Sequence, residues 1–173
     1  MTVRGAKARI FLPLFSAVFL SDCVSKRVAV EQLSPPYIPH DVFGDVVRLT
    51  LAYNVRAAMG LTAGAWSRWI LAAIAATMLI GMAAWLLHTK RNDPRLFTGI
   101  ALVAAGALGN LVDRLRWDRG VVDFIDIGVG SARFWIFNVA DVAITIGAVV
   151  LWLTLRRAET RAAGGGTAPD TPT

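Results

Sequence analysis

Charge is missing from three long stretches of this 173-residue chain. Trp69 to Leu87 and Leu96 to Val112 contain no Asp, Glu, Lys or Arg, and Phe134 to Leu155 contains only Asp141. A helix rises ~1.5 Å per residue, so about 20 residues cross a ~30 Å hydrocarbon core. Each stretch is long enough for one span, the second with little to spare. A fourth apolar run, Ile10 to about Val30, is clean only to Leu20, after which Asp22, Lys26 and Arg27 intervene. Its basic start (Arg4, Lys7, Arg9) also fits a cleaved leader. Cys23 invites a lipidation site, but that requires a small residue before it, and Asp22 stands there. An uncleaved first helix is the reading adopted. The pattern predicts a mainly α membrane protein with four transmembrane helices.

Between the first two spans the pattern changes. Pro35, Pro36 and Pro39 exclude helix interior. From Asp45 to Asn54 the residues alternate, with Val47, Leu49, Leu51 and Tyr53 on one side and Arg48 and Thr50 on the other. That period of two predicts a strand in a small extracytoplasmic β-sheet, to which the 118–133 loop contributes. Four spans place both termini on one side. The amino-terminal tail, the Leu87–Leu96 turn (Lys90, Arg91, Arg95) and the carboxy-terminal tail (Arg156, Arg157, Arg161) are basic, which makes that side cytoplasmic. Residues 31–65 and 114–133 then lie outside. The outer side also carries Arg114, Arg116, Arg119 and Arg133 among Asp113, Asp118, Asp123 and Asp126, so orientation rests on the tails and the tight turn. Residues 1–160 read as a single membrane-embedded domain and 161–173 as a disordered cytoplasmic tail, Gly- and Pro-rich from Gly164.

Composition adds little to this. The chain is 55% hydrophobic, above the usual soluble range of about 45–50%. The net charge of +6 does not argue for nucleic acid, because basic residues flank the apolar runs and no zinc spacing or Gly-rich phosphate loop accompanies them. The single cysteine excludes an internal disulfide and reads as a buried thiol.

The polar residues inside the apolar runs carry the chemistry. Asn110 and Asp113 close one run, and Asn138 and Asp141 open the next; each pair is spaced i, i+3, on one helix face. With the fourth helix starting at Phe134, Asp141 would lie about 10 Å along it. An intramembrane carboxylate costs ~2.5–3.5 kcal/mol on insertion scales, so it is expected to have a partner or a task. The histidines, His40 and His88, fall in a Pro-rich loop and in the cytoplasmic turn, so a Ser–His or Cys–His site is disfavoured. Arg114 and Arg116 oppose a metal ion among the aspartates. What remains is carboxyls in a low-dielectric place. Two brought together cannot both ionise easily, so one keeps a proton and can hydrogen-bond a carbonyl while the other takes a proton from water. Asp123 could fold back over Asp141 in this way, with Asn110 and Asn138 as neutral donors that orient them. Taken alone, the residues leave this reading level with a polar network that glues helices together or conducts ions.

Four blocks spread over most of residues 20–150 resemble the bacterial lipoprotein signal peptidase (signal peptidase II) family. Asp22-Cys23-Val24-Ser25-Lys26 is similar to its Asp-x-x-x-Lys. Asn54-Val55-Arg56-Ala57-Ala58-Met59 is similar to its Asn-x-Gly-Ala-Ala-Phe, with Arg56 and Met59 in place of Gly and Phe. Gly106 to Arg114 is similar to the third block; Val122-Asp123-Phe124 and Phe137-Asn138-Val139-Ala140-Asp141 resemble the last. Val142 follows where a small hydroxyl residue is common.

The resemblance implies an intramembrane aspartic endopeptidase that removes the signal peptide from diacylglyceryl-modified prolipoproteins, cutting just before the lipidated cysteine. It implies Asp123 and Asp141 as the catalytic pair, and Asn54, Asn110, Arg114 and Asn138 as residues that position substrate or the pair. Asp22, Lys26 and Asp113 become structural supports; Asp22 and Lys26, at i, i+4, also read as a pair that neutralises itself. It implies no cofactor, no metal and no nucleic acid. The partners would be lipid-modified prolipoproteins and membrane lipid, the protein a monomer. The enzyme would sit in the bacterial cytoplasmic (inner) membrane with its active site at the extracytoplasmic face. Trp66, Trp69, Trp117 and Trp135 flank the spans on that side, where indoles favour the interface. The rival is a small transporter using Asp22, Asp113 and Asp141, which would spread ionisable residues through the membrane depth rather than gather them at one face.

Overall fold

The computed structural model describes residues 3–55 and 66–164. The elements run in the order α1 (Val3–Gln32), β1 (Pro39–Phe43), β2 (Val47–Asn54), α2 (Ser67–His88), α3 (Pro94–Arg116), β3 (Val121–Val129), β4 (Ala132–Arg133) and α4 (Val139–Gly164). Each of the four helices contains a segment long and apolar enough to cross a membrane: Lys7–Gln32, Ser67–His88, Pro94–Arg116 and Val139–Thr160.

The helices differ in how they use their apolar residues. In α2 only Ser67 and Ala72 are buried, while Ile70, Ile74, Met78, Ile80 and Leu87 are exposed, the surface of a helix that faces lipid. By contrast, α3 is the hub: it packs on the other three helices and most of its length is buried. Its start is a sequence signal, with Asp93 accepting from Arg95 N at 2.9 Å and Pro94 in the first turn. Small residues let its neighbours approach. A Cβ at Gly106 would collide with the Ala140 carbonyl oxygen of α4, and one at Gly109 with the Asp22 carboxylate of α1. Lipid tails are as apolar as Leu, so helices in a bilayer associate through this kind of close packing and through polar contacts.

The strands form one antiparallel sheet, β1-β2-β3-β4, at the end of the bundle where α1 and α3 finish. Leu51, Val122 and Phe124 pack on Ala29 and Leu33 from the last turns of α1. In the β2–β3 register Ala52 pairs with Asp123 and Asn54 with Val121. Gly120, at φ 87°, makes the turn into β3; a Cβ there would strike the Asn54 carbonyl. At the far end Arg133 donates to Asp126 at 2.7 Å, and Thr50 to the same carboxylate at 3.0 Å.

Several boundaries depart from the sequence reading. The 118–133 segment does contribute to the sheet, and centrally: β3 is the inner strand between β2 and β4. The last helix starts at Val139 rather than Phe134. Phe134 to Phe137 run beside β3, with Phe137 N donating to Ile125 O (3.0 Å) and its carbonyl accepting from Phe124 N and Ile125 N. Those aromatics are apolar because they line the sheet and interface, not because they span. Asp141 therefore sits in the first turn of α4, not about 10 Å along it. Arg114 and Arg116, placed outside by the sequence reading, belong to the last turn of α3, and α4 continues four residues into the expected tail. Arg56, Met59 and the tail residues 165–173 lie outside the described residues.

The Gly109 contact is testable. Gly109→Ala should lower the thermal unfolding midpoint in detergent micelles by an amount corresponding to about 1–3 kcal/mol of overpacking, because its methyl must displace the Asp22 carboxylate. Gly81, whose Cβ would meet nothing within 4 Å, is the control, and its Ala variant should not lose stability.

Candidate active site

The site is assembled where α4 begins. Asn138 is wholly buried and caps the helix: its Oδ1 accepts from Asp141 N at 2.9 Å, while Asp141 Oδ2 accepts from Asn138 N at 3.2 Å. This reciprocal pair is a capping box, with the acidic residue three positions after the cap. The Asn138–Asp141 spacing thus marks a helix start and not two side chains on one helical face. Another free N–H of the first turn, Ala140 N, donates to Asp22 Oδ1 at 2.9 Å, a contact from α1 that crosses 118 residues of sequence.

Asn138 also joins the second carboxyl to the first. Its Nδ2 lies 2.7 Å from Asp123 Oδ1, 3.1 Å from Asn110 Oδ1 and 3.2 Å from Val122 O, so two hydrogens serve three acceptors. Asn54 Nδ2 donates to the other oxygen of Asp123 at 3.1 Å, and Asn110 Nδ2 donates to Asp141 Oδ1 at 2.9 Å. The β2–β3 ladder positions Asn54, and α3 positions Asn110. Asp123 is 3% exposed and Asp141 half-buried, so the pair opens to one side only.

Behind the pair lies Lys26, buried on α1. Its ammonium meets Asp22 Oδ2 at 2.8 Å, Asp113 Oδ2 at 2.9 Å and Asn110 Oδ1 at 2.9 Å. The ammonium donates a hydrogen bond to Asn110 and pairs its charge with both carboxylates. The Asn110 amide is thereby oriented: its oxygen takes Lys26 and Asn138, so its NH2 must face Asp141. Asp113 Oδ2 also accepts from Val122 N at 3.2 Å, tying β3 to α3. Arg114 donates to its own helix at Asn110 O (3.1 Å), and its charge is felt at Asp141 and Asp123.

Burial, and after it the neighbouring Asp141 carboxyl, push Asp123 up from 3.8 to about 7; the bonds from Asn54 and Asn138 and the charge of Lys26 pull the other way without prevailing. The formal charges agree. Four carboxyls (Asp22, Asp113, Asp123, Asp141) face two cations (Lys26, Arg114), and a retained proton reduces that excess.

The structure brings Asp123, Asp141, Asn54, Asn110 and Asn138 into one hydrogen-bonded group, with Asp22, Lys26 and Asp113 directly behind it. Among the described residues, Arg114 hydrogen-bonds the Asn110 carbonyl of its own helix. Asp22 and Lys26 do pair, but neither stops at the other. His40 is exposed on β1 and His88 ends α2, both apart from this group. Cys23 is half-buried beside Asp22. The sequence reading missed the cap that Asp22 gives α4 and the link from Asp113 to β3, since both join segments far apart in sequence; the capping box alone had a local signal.

Two outcomes follow from this geometry. Because Asp123 binds its proton more tightly folded than unfolded, it contributes stability that is complete below pH ~4 and is lost as pH rises through about 7. Thermal midpoints measured across that window should fall with pH in the wild type, and Asp123→Asn should flatten the slope. Lys26→Met should cost about 3–5 kcal/mol, since it strands two buried carboxylates; a Lys26→Met/Asp22→Asn/Asp113→Asn variant should recover part of that loss in the same melting assay.

Comparison with known proteins places the fold. The family model described as Signal peptidase (SPase) II matches residues 14–157. The Lipoprotein signal peptidase of Pseudomonas aeruginosa is 40% identical over 145 residues, covering 82% of this chain and 85% of that one. That of Coxiella burnetii is 38% identical over 154 residues, covering 87% and 92%. Among solved structures, a bacterial membrane enzyme determined in meso at 2.3 Å resolution superposes with a TM-score of 0.77 at 25% identity, over 93% of both chains. Another, at 1.9 Å, gives 0.73 at 28% identity over 83% of this chain and 90% of that one. With four membrane-spanning helices and a match that covers the whole of the carboxyl-bearing core, this chain belongs to the signal peptidase II family of bacterial membrane peptidases.

Proposed function

We propose that this chain is an aspartic endopeptidase that removes the signal peptide from diacylglyceryl-modified prolipoproteins, with Asp123 and Asp141 as the catalytic dyad. The observation that carries this reading is one buried residue, Asn138, bonded to both carboxyls at once, to Asp123 through its side-chain amide and to Asp141 through its backbone N–H. A structural glue would neutralise its carboxylates with cations, as Lys26 does for Asp22 and Asp113. The dyad instead receives only N–H donors, apart from the more distant charges of Lys26 and Arg114.

In the mechanism Asp123, near half-protonated at neutral pH, hydrogen-bonds the scissile carbonyl oxygen. Asp141 takes a proton from the attacking water. The new C–O bond forms as the carbonyl electrons move onto oxygen, where the Asp123 proton meets them. Collapse of the tetrahedral intermediate re-forms the carbonyl and breaks the C–N bond: the amine takes the proton held by Asp141, and the hydroxyl formed from the carbonyl returns its proton to Asp123. Asn54 and Asn110 keep the carboxyls aimed, and Arg114 is placed to meet the substrate backbone. No step requires a cofactor or metal.

Substrate fit supports the lipoprotein reading. An apolar groove of about 590 Å³ between α1 and the sheet, walled by Leu20, Val24, Val28, Leu33, Leu49 and Phe124, adjoins Asp123 through Phe124 and suits acyl chains. Trp66, Trp69, Trp117 and Trp135 are exposed around the same end of the bundle. A bond cut beside a lipidated cysteine lies near the bilayer surface, and Asp141 in the first turn of α4 and Asp123 on β3 meet at the end of a spanning helix, which suits that depth. The charge of the tails and of the α2–α3 turn supports an extracytoplasmic dyad in the cytoplasmic membrane. We take the enzyme to act as a monomer.

The test is turnover of a lipid-modified precursor by purified variants at matched folded concentration. Asp123→Asn and Asp141→Asn should each lose on the order of 10³-fold or more, and the double variant should be little worse, because residues acting as a unit are not additive. Wild-type turnover by Asp123→Asn would sink the assignment and make Asp113 the next candidate partner for Asp141.

A further inference from the structure

Opposite the dyad, across the Lys26–Asp113 pair, a second cavity of about 570 Å³ opens between the last turns of α1 and α3. Its two ends differ in chemistry. Part of its lining is apolar, from Cys23, Val24, Val30 and Val112. The rim carries Arg27, Arg116 and Arg119. Two carboxylates also line the cavity, and both are taken: Glu31 accepts from Arg27 at 2.9 Å, and Asp113 is held by Lys26.

Arg116 and Arg119 have no carboxylate partner among the described residues. Each instead lies over the Trp117 ring, at 5.0 Å and 5.1 Å, and Arg119 also lies over Tyr53 at 4.3 Å. Stacking through the guanidinium face leaves the N–H edges open, and an immobilised fork of donors matches phosphate oxygens. Arg116 ends α3 and Arg119 follows in the turn before β3, on either side of Trp117, an aromatic of the kind enriched at the interface. Cations that merely snorkelled to water would not share an aromatic post or crown an apolar slot.

We propose that this cavity binds an anionic phospholipid, its phosphate on Arg116 and Arg119 and the start of an acyl chain against Val24, Val30 and Val112. The apolar wall is what selects a lipid over a soluble anion. The site meets the apolar groove beside Phe124 only at Val24, which lines both, and does not depend on what the dyad cleaves. Its inner wall is the Lys26–Asp113 pair, so an occupant would brace the support that orients Asn110.

The experiment uses the purified full chain in neutral detergent with phosphatidylglycerol or phosphatidylcholine of equal chain length, and native mass spectrometry reads the bound lipid. Wild type should prefer phosphatidylglycerol by on the order of tenfold or more, as two interfacial cations would give. Arg116→Gln/Arg119→Gln should bring the ratio close to one, and Arg119→Gln alone should lower it roughly threefold. Arg156→Gln/Arg157→Gln removes the same charge at the other end of the bundle, including an arginine stacked on Trp152, and should leave the preference intact. An unchanged preference in both Arg119 variants, or none in wild type, would overturn the proposal. Displacement of the lipid by millimolar inorganic phosphate would reassign the site to soluble anions and overturn it equally. Because the readout is binding, the result stands apart from whether the dyad is catalytic.

Discussion

One buried ammonium organises the membrane-embedded half of this protein. Lys26 binds Asp22, Asp113 and Asn110, and each of those partners reaches one element further. Asp22 continues to the first turn of α4, Asp113 to the start of β3, and Asn110 to Asp141. A charge held this far from water is tolerated only with close partners, and here two carboxylates and an amide oxygen lie 2.8–2.9 Å from the ammonium. The three spans that build the site are therefore registered by a single cation.

Close packing and this polar network depend on each other. Gly109 leaves room for the Asp22 carboxylate, and Gly106 lets the Ala140 carbonyl approach α3. Larger residues would push α1 and α4 off α3 and lengthen the hydrogen bonds that converge on the start of α4. Conversely, helix association in lipid gains little from apolar contact alone, so the carboxylate–ammonium contacts give α1 a reason to occupy one register.

Much of this was legible in the sequence where signals were local. The spans followed from charge-free length, β2 from its alternation, and the identity of the polar cluster from its cost in a membrane. The misreadings share a cause. β3 is buried along Val121 to Phe124 on both faces, so it lacks the alternation that marks β2. Phe134 to Phe137 are hydrophobic like the span that follows, and only the hydrogen bonds to Ile125 reveal that they are extended. Asn138 and Asp141 carried a helix-start signature, but their apolar surroundings made a mid-span face look equally good. Contacts such as Asp22 to Ala140 N have no local signal, because neither partner's neighbourhood encodes the other.

The capping box explains how the two carboxyls of the proposed dyad are held together in a stable fold. Asp141 is fixed by the start of its own helix, so its position is tied to the folding of α4 rather than to a flexible loop. Asp123 is fixed by a strand that Asp113 anchors, and Asn138 bridges the two without adding charge. A cation in the place of Asn138 would hold both carboxyls more tightly, but it would also favour two carboxylates and remove the shared proton. A neutral donor satisfies the same oxygens and leaves the like-charge repulsion in force, which is the condition for one carboxyl to act as acid while its neighbour acts as base.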